Sequence, residues 1–319
     1  MNPFDIFFTT LSLMIQLTLV GLVGFYGLKK GMIKECCLLT FSKIVIEIAF
    51  PCYIFTHILK NLVIDDLLSL FWLPLSCVGL LLLGHFAASL YLRFDSGIRE
   101  RGEFKLLVTF QNAVYIPLPI IASLFKEPEL SKVFLYLFIF NIPFSAMMFT
   151  VGPHVLRNSE AYHFSWRALF NNPVIAVLIS LFLVYTGWHK YIPGPVKGSF
   201  EMIGKLTVPL VMIVTGGIIL LNSRAEVPAS RMTIAKISIL KLLVIPLIVL
   251  GILLIFKNLP REFGLLFILE AAVPSASTLP LLARREEADY RLIGATVLWS
   301  YLASILTVPL FVSLYYYLV

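Results

Sequence analysis

Charged side chains are scarce in this sequence: they make up 13% of its 319 residues, whereas hydrophobic side chains make up 59%. A soluble domain carries about a quarter charged residues, so a soluble globular protein of this size is excluded. The apolar runs recur at lengths close to that of a helix crossing the ~30 Å hydrocarbon core of a bilayer. The composition therefore predicts an all-α integral membrane protein that is embedded in lipid almost throughout.

Motifs for catalysis and cofactor binding are lacking as well. The four cysteines and five histidines show no metal-ligand spacing, and there is no nucleotide-binding loop, serine–histidine arrangement or pair of aspartates. We therefore expect a protein that is not an enzyme and has no cofactor. The net charge of +7 indicates basic loops beside a lipid bilayer, not a nucleic-acid partner, because lysine and arginine flank membrane spans.

Ten hydrophobic spans are predicted, joined by connections too short to fold as separate domains. Loops after odd-numbered spans hold 15 lysines and arginines, Arg167 and Arg224 among them, and loops after even-numbered spans hold eight. The positive-inside rule then places the odd loops in the cytoplasm and both termini outside a bacterial inner or plasma membrane. The spans cover about residues 8–28, 37–59, 67–92, 104–125, 131–154, 171–188, 199–221, 231–256, 262–283 and 291–318.

Prolines interrupt the fourth span at Gln111–Pro119 and the ninth at Glu270–Pro280, and the two segments begin 159 positions apart. The second and seventh spans, also five apart, carry central prolines, Pro51 and Pro209. Because five is an odd number, a second copy of five spans enters the membrane inverted. The pattern predicts two inverted five-helix repeats in which helices 4 and 9 are broken and cross at mid-membrane, a recurrent plan of secondary transporters.

Each proline in the two breaks leaves the carbonyl four residues earlier without its helical donor. Such carbonyls can ligate a cation, while the N–H groups that open the following half-helix favour an anion. The carbonyls concerned are those of Ala113, Tyr115, Glu270 and Ala276. The breaks are also rich in small polar residues. The predicted substrate-binding residues are Asn112, Tyr115, Pro117, Pro119, Pro274, Ser275, Ser277 and Thr278.

Glu270 is the charge that most needs an explanation, because it follows an apolar run and should lie near mid-membrane. An ionised side chain there costs about 2.5–3.5 kcal/mol on insertion scales, so it requires a partner, a proton or a cavity. With Gln111 from the facing break, its oxygens would suit Na⁺. Two alternatives stay open: a proton bound in each cycle, or a structural ion pair with a lysine.

Three further charges lie within the spans. Lys43 and Glu47 are four residues apart on one helix face, and we expect them to pair with each other. Lys241 stands five residues before Pro246. It either faces an anionic substrate or reaches to the cytoplasmic interface, and we favour the second interpretation, because long basic side chains commonly do so.

In order along the chain, these features resemble the auxin efflux carrier family, which includes plant auxin exporters and bacterial permeases such as malonate carriers. The motifs that carry the likeness are GFYGLKKGMI, LTFSKIVIEIAFPCYIF, QNAVYIPLP, FNNPVIAVLISLFL, KLLVIP and VPSASTLPLLAR. Asn112 and Pro119 match the fourth-span pattern. Val114 and Pro117 replace glycines that are usual there, which predicts a narrower or stiffer pocket. The long cytoplasmic loop of many plant members is absent.

The resemblance implies a fold like that of the sodium–bile acid symporters. It divides the chain into scaffold helices 1–2 (residues 1–60), core helices 3–5 (61–160), scaffold helices 6–7 (161–225) and core helices 8–10 (226–319). The core would carry substrate by an elevator-like motion. In the sodium–bile acid group an acidic residue before the ninth-helix crossing holds Na⁺, and Glu270 resembles that residue. A homodimer through the scaffold helices is a further alternative.

We therefore expect a secondary active transporter of a small organic anion, such as malonate or an auxin-like acid, coupled to H⁺ or Na⁺. A sodium-coupled bile-acid or sterol symporter is the alternative within the same class, and Na⁺ dependence and substrate size would distinguish it. A ligand sensor that does not transport is the alternative from another class. Such sensors usually carry soluble signalling domains, and no segment of this sequence is long enough for one.

Overall fold

The computed structural model describes residues 2–61, 67–157, 171–223, 230–256, 259–286 and 290–319. Every regular element in these residues is a helix, which confirms the all-α prediction. Seven of the helical stretches are long and apolar enough to cross a membrane. Arg167, Arg224 and the expected boundaries at residues 161 and 226 lie outside the described residues.

The helices follow one another with few intervening residues. In the first half they are α1 (Pro3–Lys29), α2 (Glu35–Ile44), a π-helical turn (Val45–Ala49), α3 (Phe50–Asn61), α4 (Leu67–Phe94), α5 (Arg101–Thr109), α6 (Pro117–Leu124) and α7 (Glu129–Arg157). In the second half they are α8 (Asn172–Tyr185), a 3₁₀ turn (Trp188–Tyr191), α9 (Gly194–Gly204), α10 (Thr207–Ser223), α11 (Arg231–Ile239), a second π-helical turn (Leu240–Val244), α12 (Ile245–Ile255), α13 (Arg261–Ala272), α14 (Leu279–Arg285) and α15 (Tyr290–Leu318).

The fourth and ninth predicted spans are each divided into two short helices, as the prolines indicated. The fourth consists of α5 and α6, and the ninth of α13 and α14. Pro117 opens α6 and Pro280 lies in the first turn of α14, positions where a missing N–H costs little. Neither half is long enough to cross a bilayer alone, and α8, with 14 residues, is also short. These three spans account for the difference between seven long helices and ten expected crossings.

The prolines of the other spans have different effects. Pro51 and Pro246 each follow a π-helical turn, Val45–Ala49 and Leu240–Val244, so the helix accommodates the missing donor by taking in an extra residue. Pro209 instead lies in the first turn of α10, after a two-residue interruption of the helix between α9 and α10. Pro51 and Pro209, which occupy matching places in the two halves of the sequence, therefore have different surroundings: Pro51 follows a π-helical turn, and Pro209 lies near the start of a helix.

The helices α1 and α10 pack with their backbones in direct contact. A Cβ atom built on Gly216 would lie 1.7 Å from the carbonyl oxygen of Gly21, and one on Gly24 would lie 1.9 Å from that of Ile213. Small residues permit this approach, which provides dispersion contacts where lipid supplies no hydrophobic driving force. The close pair joins the first span to α10, whose residues reach the central cavity described below.

We expect Gly216→Ala to destabilise the protein by about 1–3 kcal/mol or more, because the added methyl group overlaps backbone that cannot move aside easily. Thermal unfolding of the purified protein in detergent measures the effect. Gly79→Ala is the matched control: apart from the backbone of its own helix, α4, no atom of the described residues lies within 4 Å of its Cβ position. Equal melting temperatures for the two variants would contradict the close packing of α1 against α10.

Candidate functional site

The two interrupted segments pair with each other through their backbones. Gln111 and Ser275 form an isolated antiparallel bridge. The Asn112 N–H donates to the Pro274 carbonyl over 2.8 Å, and the Ala276 N–H donates to the Phe110 carbonyl over 3.0 Å. Since unwound backbone in a bilayer must find partners inside the protein, each break supplies what the other has lost. The predicted crossing of the two segments is thus present.

Side chains complete the hydrogen bonding of the breaks. The Ser275 hydroxyl donates to the Leu107 carbonyl over 2.6 Å, which satisfies an acceptor in the last turn of α5. The Asn112 side chain accepts from the Tyr115 N–H over 3.1 Å and fixes the turn before α6. Ser275 was predicted to bind substrate, but it is 1% exposed and lies outside the cavity lining. Its observed contact is structural.

Two of the carbonyls predicted to ligate a cation already have donors. The Asn141 side-chain amide donates to the Ala113 carbonyl over 2.9 Å. The Leu279 N–H donates to the Ala276 carbonyl over 3.1 Å, three residues along instead of four. Proline removed the usual helical donor in both cases, and a neighbouring group replaced it. Asn141 was missed in the sequence, although an amide inside the apolar run FIFNIPF was a signal for such a role.

The openings of the two half-helices carry fewer free N–H groups than expected. Pro117 and Pro119 have none in the first turn of α6, and the Leu118 N–H already donates to the Val114 carbonyl. Pro280 likewise has none in α14, where the Leu279 N–H is also used. The prolines thus reduce the number of N–H donors at these openings, and anion binding through the remaining N–H groups stays a prediction.

A cavity of about 620 Å³ lies against the crossing, large enough for a drug-sized molecule. Its lining comes from the second, sixth and seventh predicted spans on one side and from the fourth, fifth and ninth on the other. Most of the lining is apolar, with amides and hydroxyls between. Among the described residues that line the cavity, Glu47 is the only charged one, and none is a lysine or an arginine.

The predicted substrate residues divide into two groups. Five of them line the cavity: Asn112, Tyr115, Pro119, Ser277 and Thr278. Three do not: Pro117, Pro274 and Ser275. Polar lining residues that the sequence interpretation did not assign to the site are Asn141, Ser145, Asn171, Thr150 and Thr207. Asn141, Ser145 and Thr150 lie in the uninterrupted helix α7, whereas Asn171 and Thr207 stand at the starts of α8 and α10, and no pattern in the sequence pointed to a site shared by these helices.

Glu270 lies behind the cavity, not in its lining, and is fully buried. Its Oε2 atom accepts from the Gln111 side-chain amide over 3.5 Å, the contact expected between the two breaks. Its Oε1 atom accepts no hydrogen bond from the described part of the chain. Asn141 lies beside the carboxylate as well. Gln111 reaches both regions, since it also contributes to the cavity lining.

Lys241 is only 1% exposed, which contradicts the expectation that it reaches the membrane interface. It lies in the π-helical turn Leu240–Val244, which packs against α13, the helix of Glu270. Both side chains are buried, but no ion pair joins Lys241 to Glu270 among the described residues, so the alternative of a structural ion pair with a lysine stays open. The π-helical turn, which sequence periodicity does not reveal, directs the lysine inward.

The atoms around Glu270 fit Na⁺ in type. Glu270 Oε1, Gln111 Oε1 and Asn141 Oδ1 are buried and accept no hydrogen bond from described residues, and oxygen atoms are the ligands that hard cations prefer. These three residues are therefore the ones that would hold Na⁺ at this carboxylate.

The expected pairing of Lys43 with Glu47 was wrong. Glu47 Oε2 instead accepts from the Asn172 side-chain amide over 3.2 Å, and the Glu47 carbonyl accepts from the same amide. Lys43 lies at the end of α2, whereas Glu47 lies within the π-helical turn Val45–Ala49 that follows it. The turn changes the angular spacing of the helix, so residues four apart no longer share a face. Glu47 is thereby free to line the cavity beside the start of α8.

Comparison with known proteins places the chain among transporters. A family model described as membrane transport protein matches residues 9–164 and 159–312. An uncharacterized transporter of Methanothermobacter thermautotrophicus is 25% identical over 311 residues, covering 96% of this chain and 98% of that protein. An uncharacterized transporter of Methanocaldococcus jannaschii is also 25% identical, over 316 residues, covering 97% and 98% of the two chains. The similarity extends through both interrupted segments.

Replacing Asn141 with leucine should destabilise the protein by about 1–3 kcal/mol, the cost of leaving a buried acceptor such as the Ala113 carbonyl unsatisfied. Thermal unfolding in detergent is the measurement. Thr150→Val on the same helix is the control, because the Thr150 hydroxyl donates to the Ala146 carbonyl of its own helix over 2.7 Å. An Asn141→Leu protein as stable as this control would show that the break does not depend on the amide.

Proposed function

The chain belongs to the auxin efflux carrier family of membrane transport proteins, and from this premise we propose that it is a secondary active transporter of a small organic acid. The observation that carries the proposal is the cavity at the crossing of the two interrupted helices. Such crossings join the two halves of a transporter at its substrate site. Transport would be coupled to H⁺ or Na⁺ through Glu270, and the protein itself would catalyse no chemical reaction.

We further propose an elevator-type mechanism. The cavity lies between the helices that we expect to form the scaffold, represented by Val45, Val174 and Thr207, and those of the expected core, represented by Asn112 and Ser277. A ligand bound there touches both groups, so movement of the core past the scaffold would change the side from which the ligand can leave. The proposal includes ten crossings in two inverted repeats, with both termini outside the cell membrane.

The lining favours one class of organic acid. A dicarboxylate such as malonate would need two counter-charges, and no basic side chain is part of the described lining. A monocarboxylate with an apolar body would bury that body against Phe50, Phe138 and Phe144. Its carboxylate would accept from amide and hydroxyl groups, with Asn112, Tyr115, Ser277 and Thr278 in reach of the cavity. The proposed substrate is therefore closer to an auxin-like acid than to malonate.

We expect aromatic or aliphatic monocarboxylates to raise the melting temperature of the purified protein and malonate to leave it unchanged, because a ligand that binds the folded state stabilises it. A monocarboxylate places an apolar body in the apolar cavity and loses the hydration of one carboxylate, whereas malonate would lose the hydration of two. The measurement is a thermal-shift screen at two pH values, with and without Na⁺. Val174→Trp, which would fill the cavity from α8, should remove the shift. Stabilisation by malonate alone would contradict the proposed substrate class.

Glu270→Gln should reduce gradient-driven uptake of the substrate into proteoliposomes by at least about tenfold, because the amide can neither carry the charge nor exchange a proton. Exchange of substrate without a gradient separates loss of coupling from loss of binding. Glu262→Gln is the matched control, since Glu262 lies in the first turn of the same helix, α13. Wild-type uptake by Glu270→Gln protein would refute the coupling role of this residue.

A further inference from the structure

We infer that α3 and the start of α7 form a gate, which closes one end of the cavity and must open for substrate to pass. The gate consists of Tyr53 and His57 on α3, Phe134 on α7 and Glu127 just before α7. The inference deepens the proposed function and rests on it, because alternating access requires that the substrate site be closed on one side at a time. It is carried by the place where the cavity lining ends and by the contacts that follow there.

The cavity ends where the gate begins. On α3, Ile54 belongs to the lining, whereas His57, about one turn farther along, does not. On α7, Phe138 is the first residue in the lining, and Phe134, one turn before it, is not part of it. From Phe138 the lining continues along α7 in the other direction as far as Thr150. The two helices therefore close the cavity at the end where α3 finishes and α7 starts.

Aromatic rings form the inner part of the gate. The ring centroids of Tyr53 and Phe134 lie 5.3 Å apart, and those of His57 and Phe134 lie 4.8 Å apart. Both pairs are edge-to-face, a geometry in which aromatic rings attract each other. Tyr53 is buried and Phe134 has no exposed surface. Neither water nor a ligand therefore reaches the cavity between these rings.

An ion pair forms the outer edge of the gate. His57 Nδ1 lies 3.6 Å from Glu127 Oε1, the distance of a salt bridge when the imidazole is protonated. The other carboxylate oxygen is held in place by Ser131, whose hydroxyl donates to Glu127 Oε2 over 2.7 Å. The Glu127 side chain is 37% exposed. Solvent thus meets the charged pair first, and the buried rings lie between that pair and the cavity.

The α3 half of the gate is fixed firmly to the expected scaffold. A Cβ atom built on Gly204 of α9 would lie 2.9 Å from the Tyr53 Cα atom, so α3 and α9 touch through their backbones. Lys60 of α3 also pairs with Glu201 of α9 over 2.9 Å. The gate contacts instead join side chains, which can separate while both helices stay intact. The boundary along which the expected core would move therefore passes through the gate.

The first test measures the side from which the cavity can be reached, and it needs no substrate. The full-length protein is placed in sealed vesicles of one orientation, a membrane-impermeant maleimide is added to either side, and mass spectrometry reads the labelled position. Glu127→Cys identifies the gate side. Ser145→Cys, which lies in the cavity lining, should react at least about tenfold faster from the opposite side, since a minor open state is populated to about 10% or less.

Phe134→Ala removes the central ring of the gate. In the Ser145→Cys protein it should raise the labelling rate from the gate side by about tenfold, the scale of one lost aromatic contact and its burial. Phe55→Ala is the matched control, because the Phe55 ring packs on Phe200 of α9 at 4.8 Å, outside the gate. If Phe134→Ala does not fold, Glu127→Gln removes the ion pair at a partly exposed position and should raise the same rate about two- to fivefold.

A cross-link tests whether the gate must open. Joining His57→Cys to Glu127→Cys with a reducible thiol reagent should lower monocarboxylate uptake into proteoliposomes by at least about tenfold, and reduction should restore it. Joining Lys60→Cys to Glu201→Cys is the matched control. These two residues form an ion pair within the expected scaffold, so their cross-link should leave uptake unchanged.

Equal labelling of Ser145→Cys from both sides would overturn the inference. So would a rate from the gate side that neither Phe134→Ala nor Glu127→Gln increases, or wild-type uptake with the His57–Glu127 cross-link in place. Failure of the proposed function gives a different result. Such a protein would take up no monocarboxylate before cross-linking, whereas the labelling rates would still show whether the gate is closed.

Discussion

The structure depends on one constraint: backbone that leaves the helical conformation inside a membrane must find hydrogen-bond partners in the protein. The two interrupted segments meet it by pairing with each other, with Gln111 opposite Ser275. Ser275 and Asn141 supply further donors to the carbonyls of Leu107 and Ala113. The crossing is therefore held together by hydrogen bonds between the two segments and from neighbouring side chains. The cavity and the buried charges are both arranged around it.

The same constraint determines what the site can bind. Prolines break the helices, and Pro117, Pro119 and Pro280 contribute no N–H donor at the half-helix openings. The cavity beside them has amides, hydroxyls and aromatic rings in its lining, and Glu47 as its charged member. Recognition by such a surface depends on apolar contact and on neutral donors. Glu270 and Lys241, which are buried, lie outside the lining of the cavity.

Prediction from the sequence succeeded for features that depend on the backbone of a single residue, such as the interruption of a helix by proline. Pro117 and Pro280 indicated the two breaks, and both half-helices begin beside them. It failed where a side chain acts across helices. Lys241 was expected at the interface and Glu47 was expected to pair with Lys43, and in both cases a π-helical turn changed the direction of the side chain. A turn of this kind adds one residue without altering composition or hydrophobic period, so periodicity cannot reveal it.

The sequence by itself determined that the chain is helical and apolar, that two helices are interrupted, and that an acidic residue stands beside one break. These properties follow from composition and from the covalent structure of proline, which act locally. Tertiary structure alone decided which carbonyls keep a donor, that Asn141 provides one of them, and that Lys241 is buried instead of reaching the interface. Those outcomes depend on which helix faces meet in space, a property that no single segment of the chain contains.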